Sequence, residues 1–102
     1  MPNSPRFDSS DPLLDGPVAA TLDLHGYTAA ATPAAVRSFL ETWRRRQAGA
    51  VVHIITGKGK GSPDGPVLRG LVKDLLKGPL GAMIAEWARD DAEGGYKIRL
   101  RI

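Results

Sequence analysis

Asp23 and His25 stand two residues apart at the end of an apolar run, in Leu22-Asp23-Leu24-His25-Gly26. A second stretch, Thr56-Gly57-Lys58-Gly59-Lys60-Gly61, interleaves glycines with lysines and leads through Asp64-Gly65-Pro66 to Arg69. An imidazole beside a carboxylate can act as a general base or acid. A basic, glycine-rich loop feeding a helix N-terminus can hold phosphate oxygens, because glycine admits close backbone approach and the helix end presents N–H groups. Lys58, Lys60 and Arg69 could then stabilise negative charge growing on a transferring phosphoryl group. Together these residue types point to phosphodiester chemistry. The bland alternative stays open at this level. Asp23 could simply bond local backbone at a strand end, and the lysines could be solvated in a surface loop.

Competing motif readings fail on spacing. The loop lacks Gly-x-x-x-x-Gly-Lys-[Ser/Thr], and Ser62 stands where Gly-x-Gly-x-x-Gly needs its last glycine. His25 and His53 do not form a close ligand pair, and His53 falls inside the strand pattern, so it reads as a packed strand histidine and no metal site is assigned.

The elements that must carry these residues follow from periodicity. Val18 to His25 alternates as a strand, with Leu22 and Leu24 on one face and Thr21, Asp23 and His25 on the other. Val36, Phe39, Leu40 and Trp43 make the apolar stripe of a helix starting near Pro33, with Thr32 as its cap and Gly49 as its stop. Val51 to Thr56 is a second strand. Val67, Leu68, Leu71, Val72, Leu75 and Leu76 recur at helical spacing, up to Gly78-Pro79. Ala82 to Ala88 is expected as a third strand, Arg89 to Gly95 as a turn, and Tyr96 to Ile102 as the last strand, with Lys97, Arg99 and Arg101 on one face.

The order β-α-β-α-β-β predicts an α/β fold of the α+β two-layer sandwich kind. Two helices cover one face of a four-stranded mixed sheet, and the last strand returns antiparallel through a hairpin. Ligands of open α/β sheets gather beyond the carboxyl ends of parallel strands, which puts Asp23, His25, Lys58, Lys60 and Arg69 at one end. The second sheet face is expected to be open and basic.

At 102 residues the chain suits one domain. Residues 1–17, rich in proline, serine and aspartate, read as a flexible leader with Phe7 and Leu13-Leu14 as its anchors, followed by a folded unit over 18–102. No run is apolar enough to span a bilayer and no signal-like N-terminus is present, so a membrane partner is not expected. The absence of cysteine removes disulfides and thiolate metal sites and leaves a cytoplasmic setting as the default. A net charge of +3 leans toward polyanions, weakly.

Taken in order, Leu22-Asp23-Leu24-His25-Gly26, Phe39-Leu40, Ile55-Thr56-Gly57-Lys58-Gly59, Val67-Leu68-Arg69 and Gly94-Gly95 closely resemble the small MutS-related (Smr) domain over roughly residues 20–102. The resemblance implies a sandwich similar to the C-terminal domain of a bacterial translation initiation factor, in a stand-alone member. It also implies nucleic-acid binding and, for many members, endonuclease activity on DNA or RNA, including messages on stalled ribosomes. By position, Asp23 and His25 match the cleavage motif, and Thr56, Gly57, Lys58 and Gly59 match the glycine motif that shapes the nucleic-acid contact. Arg69 matches the arginine of cleaving members, although Lys60 to Pro66 lengthens the loop before it.

Two function classes remain. As an endonuclease, the chain would use Asp23, His25 and Arg69 catalytically, with Thr56, Gly57, Lys58, Gly59, Lys60, Lys97, Arg99 and Arg101 holding nucleic acid. RNA offers its own 2′-OH nucleophile, whereas DNA requires water and favours Mg²⁺ as an added cofactor. As an adaptor, it would dock on RNA, DNA or a ribosomal surface without cutting.

Overall fold

The computed structural model describes residues 12–57 and 65–102. Lys58, Gly59 and Lys60 lie outside the described residues. The chain runs α1 (Pro12–Asp15), β1 (Ala20–Asp23), α2 (Thr32–Arg46), β2 (Val51–Ile55), α3 (Gly65–Lys77), a 3-10 turn at Gly81–Met83, β3 (Ile84–Asp90) and β4 (Gly95–Leu100).

The β-α-β-α-β-β order and the two-layer arrangement are as the periodicity predicts. Leu24, Val52, Ile54, Tyr96, Ile98 and Leu100 from the strand segments pack against Val36 and Leu40 of α2 and Leu68, Val72 and Leu76 of α3 in one buried cluster. The helices therefore share one face of the sheet. α2 begins one residue earlier than expected: Ala31 occupies the cap position without a side-chain bond, and Thr32 is already helical. The preceding turn is held from Thr28, whose Oγ1 accepts from Ala31 N at 3.1 Å and whose carbonyl accepts from Thr32 Oγ1 at 2.8 Å.

The strand order is β1-β2-β4-β3. β1 and β2 are parallel, with Asp23 opposite Ile55, and β4 runs antiparallel to both β2 and β3. The last strand thus inserts centrally and β3 becomes an edge. A hairpin makes β3 and β4 neighbours but does not say which of them lies beside β2. Burial decides it, since Tyr96, Ile98 and Leu100 are almost fully enclosed, whereas β3 is largely exposed and carries a bulge between Ile84 and Glu86.

The final approach of β4 to β2 depends on Gly95. A Cβ there would lie 1.9 Å from the carbonyl oxygen of Ile54. No other residue type leaves room for the two backbones to close at this point.

The second face of the sheet is not wholly open. α1 packs against β3 and β4, Leu13 is buried, and Lys97 Nζ donates to the carbonyl of Leu14 at 2.6 Å. The Leu13-Leu14 anchor therefore docks on the face expected to be bare.

Candidate nucleic-acid interface

β1 ends at Asp23 because its side chain closes the turn that follows. Asp23 Oδ1 accepts the backbone N–H of His25 at 2.9 Å, and Tyr27 N donates to Leu24 O at 2.9 Å. Gly26 sits in this turn with φ +86°, a left-handed conformation that glycine adopts without a Cβ penalty. The result is an exposed imidazole on a backbone fixed by the neighbouring carboxylate. Leu24 N also donates to Ile55 O at 2.8 Å, which ties this turn to the end of β2.

The end of β2 is tied in turn to the β3–β4 hairpin. The carbonyl of Gly94 accepts Thr56 N at 3.0 Å, Gly57 N at 3.0 Å and Thr56 Oγ1 at 2.9 Å. Thr56 is buried. Its hydroxyl and these two N–H groups are thus committed to structure, and among the described residues they are not available to a phosphate. Thr56 and Gly57, expected to hold nucleic acid, thus have these donors engaged within the fold. They hold the end of β2 to the β3–β4 hairpin.

Arg69 lies on the second turn of α3, and that turn is anchored to β4. Tyr96 Oη donates to Arg69 O at 3.1 Å. Burial raises the Tyr96 phenol above its ordinary value, against the opposing pull of Arg89 and Arg69, so it stays a donor. Arg69, Gly57, Arg89, Asp91, Gly94 and Gly95 surround a cavity of about 170 Å³. A roomier concavity of about 510 Å³, between the end of α2 and Ile102, belongs to the opposite end of the sheet and to none of these groups.

One end of the domain therefore gathers Asp23, His25, Thr56, Gly57 and Arg69. Lys97, Arg99 and Arg101 do not join them as a free basic strip. Lys97 lies under α1, 3.8 Å from Asp90 Oδ2 as well as bonded to Leu14 O. Arg99 Nε pairs with Glu86 Oε2 at 2.8 Å, and Arg101 donates to Ile84 O at 3.1 Å beyond the end of β4. β4 runs away from the site, so Arg101 stands roughly 20 Å from Gly95 at about 3.3 Å per residue.

His53 is the packed strand histidine expected, with a side chain only 7% exposed. Burial lowers its basicity below the ordinary imidazole value, outweighing the opposite influence of Asp90. Its Nε2 stands 3.5 Å from Asp90 Oδ2 and has no hydrogen-bond partner among the described residues.

Arg89 was missed, because the sequence pattern assigns it to a turn. β3 in fact continues to Asp90, and the register opposes Arg89 to Tyr96 on the helix-covered face. The alternation Trp87, Arg89 against Tyr96, Ile98 carries that signal only once the pairing register is known.

A model of the Smr domain matches residues 22–97. The chain belongs to the Smr domain family. That family is associated with nucleic-acid binding and nuclease activity. No curated protein and no solved structure matches the chain at a significant level. Within this Smr domain, no helix among the described residues is long and apolar enough to cross a membrane. Mg²⁺ prefers octahedral oxygen ligation, and no group of three His, Asp or Glu side chains converges among the described residues. Asp23 offers one carboxylate, with one oxygen already accepting His25 N. The described residues therefore offer no all-protein cage, and Asp23 is the one carboxylate that could share a Mg²⁺ with waters and substrate phosphates.

Proposed function

We propose that this Smr domain binds single-stranded or looped RNA across the carboxyl ends of β1 and β2 and cleaves it by internal transesterification. The observation that carries this reading is the juxtaposition of two strand ends. Asp23 and Ile55 are register partners, so the His25 turn and the Thr56-Gly57 turn leave adjacent strands side by side. His25 is exposed there, with no competing side-chain partner among the described residues.

In this mechanism His25 takes the proton of a 2′-OH as that oxygen attacks the adjacent phosphorus. The new 2′-O–P bond forms as the P–O5′ bond breaks, and the departing 5′-oxygen takes a proton from solvent. Asp23 is a positioning residue: its carboxylate holds the His25 backbone and so fixes the turn from which the imidazole projects. Arg69, with Lys58 and Lys60 of the loop, draws in the phosphate backbone. RNA is preferred over DNA because its nucleophile is internal, whereas DNA cleavage would need an activated water.

The test is cleavage of a fluorescent 12-nucleotide RNA, with product ends identified, with and without EDTA. His25→Ala abolishes cutting while retaining binding. Asp23→Ala loosens the turn and lowers kcat more than it raises KM. Products ending in 2′,3′-cyclic phosphate and 5′-OH support the mechanism. Products with 5′-phosphate ends, or cleavage abolished by EDTA, refute it. Binding without any cutting by the wild-type protein refutes catalysis and favours the adaptor reading.

A further inference from the structure

The cavity beside Gly57 contains a residue that the His25 chemistry does not use, Arg89. Three of its lining residues are glycines: Gly57 with φ +102°, Gly94 with φ +76°, and Gly95, where no side chain fits. Two arginines also line it, Arg69 from α3 and Arg89 from β3. The glycines supply room and not donors, since Gly57 N and Gly94 N are already given to Gly94 O and Asp90 O, so the attraction for an anion comes from the arginines, whose guanidinium groups match phosphate oxygens in two-point geometry. Arg69 is held at its backbone by Tyr96, and no acidic side chain pairs with it among the described residues. Arg89 is paired with Asp91 at 2.8 Å, but both side chains are largely exposed, at 56% and 80%. A pair so exposed is weak and can exchange Asp91 for another anion.

The position of this cavity relative to His25 matters. β1 and β3 are the two edges of the four-stranded sheet. Three interstrand spacings of about 4.8 Å set Arg89 roughly 14 Å from the β1 end. Asp23 shares the face of its partner Ile55, whereas Arg89 shares the face of Tyr96, on the helix side. Arg89 thus lies across the sheet, and on its other face, from the phosphate whose neighbouring 2′-OH His25 deprotonates. A stacked strand advances about 3.4 Å per nucleotide, so the separation corresponds to about four steps.

We propose that Arg89, over the Gly57-Gly94-Gly95 surface beside Arg69, forms a phosphate subsite that grips a single-stranded nucleic acid several nucleotides from the scissile bond, with Asp91 as the resident anion that the phosphate displaces. This rests on the reading that nucleic acid crosses these strand ends, and it adds a second anchoring point. The subsite sets strand register and favours chains long enough to reach both positions.

Binding is measured by fluorescence anisotropy with fluorescein-labelled oligo(dT) of 12 and 3 nucleotides, which lack a 2′-OH and keep the assay independent of cleavage. Arg89→Ala weakens 12-mer binding about tenfold near 0.1 M salt and lowers the slope of log affinity against log salt by about 0.7. Its effect on the trimer is smaller. Asp91→Asn tightens 12-mer binding severalfold, and that gain disappears in the Arg89→Ala background, because Asp91 then has no guanidinium to release. Arg89→Gln, which keeps a polar side chain of similar length, repeats the loss and guards against a folding artefact. An unchanged affinity and slope in both Arg89 variants overturns the subsite. So does an Asp91→Asn gain that persists without Arg89, since that would be a general field effect. Loss of cutting in His25→Ala bears on catalysis alone and leaves this binding measurement standing.

Discussion

Replacing Gly95 by alanine tests whether the site is assembled by the close approach of β4 to β2. The added Cβ would sit 1.9 Å from Ile54 O, and 2.9 Å from both Ile54 C and Ile55 Cα. All three are backbone atoms of a central strand, so no side chain can swing aside. Restoring an ordinary contact means moving the strands apart by more than an ångström. Such overpacking costs about 1–3 kcal/mol or more. Ladder bonds lost near Ile55 and Gly94 add about 1 kcal/mol each. The sum, about 3–5 kcal/mol, is a large part of the roughly 5–15 kcal/mol expected for a domain of this size. Urea unfolding followed by the fluorescence of Trp43 and Trp87 should therefore show a midpoint lowered by 1 M or more, at about 1–3 kcal/mol per molar urea. Two other glycines calibrate the reasoning. A Cβ at Gly26 meets nothing within 4 Å, but its φ is +86°, so alanine there should cost only about 1–2 kcal/mol of backbone strain. A Cβ at Gly70 also meets nothing, in the interior of α3, so alanine should stabilise by up to about 1 kcal/mol. If Gly95→Ala unfolds at the wild-type urea concentration, or if the three variants fail to rank in this order, the close-approach argument is wrong.

Two further outcomes follow from the sheet's second face. Lys97→Met removes a charged hydrogen bond to Leu14 O and the cation 3.8 Å from Asp90, so it should destabilise by about 2 kcal/mol while leaving the salt dependence of nucleic-acid binding unchanged. A salt slope reduced by about 0.7 would instead put Lys97 on a phosphate. The depressed basicity of His53 means that the unfolded chain takes up this proton first as pH falls through about 6.5. Stability should therefore be full above that pH and decline below it, by at most about 1.4 kcal/mol per pH unit, until the native imidazole protonates as well. His53→Gln should flatten the profile between pH 5 and 7 in urea titrations, and an unaltered slope would assign the effect to other groups.

Neighbouring residues were enough to reveal most elements of this Smr domain. The alternation around Leu22 and Ile98 and the helical stripes through Leu40 and Val72 are written in residues a few positions apart. Burial of one face follows from that spacing alone. The sequence also determined that Asp23 and His25 leave one strand while Thr56-Gly57 leaves the next, since two parallel strands joined by a helix end on the same side. Only the tertiary structure decided that β4 lies between β2 and β3, because a hairpin fixes adjacency within itself and not its orientation toward a third strand. It also decided which charges remain available. Lys97 looks like a solvent-facing cation until α1, more than eighty positions earlier, supplies Leu14 O. Arg89 looks like a turn residue until the register of β3 and β4 turns it toward the helix carrying Arg69. Periodicity reports which side of its own element a residue occupies. Whether that side meets a ligand, a carbonyl or a counter-ion depends on packing partners distant in the chain.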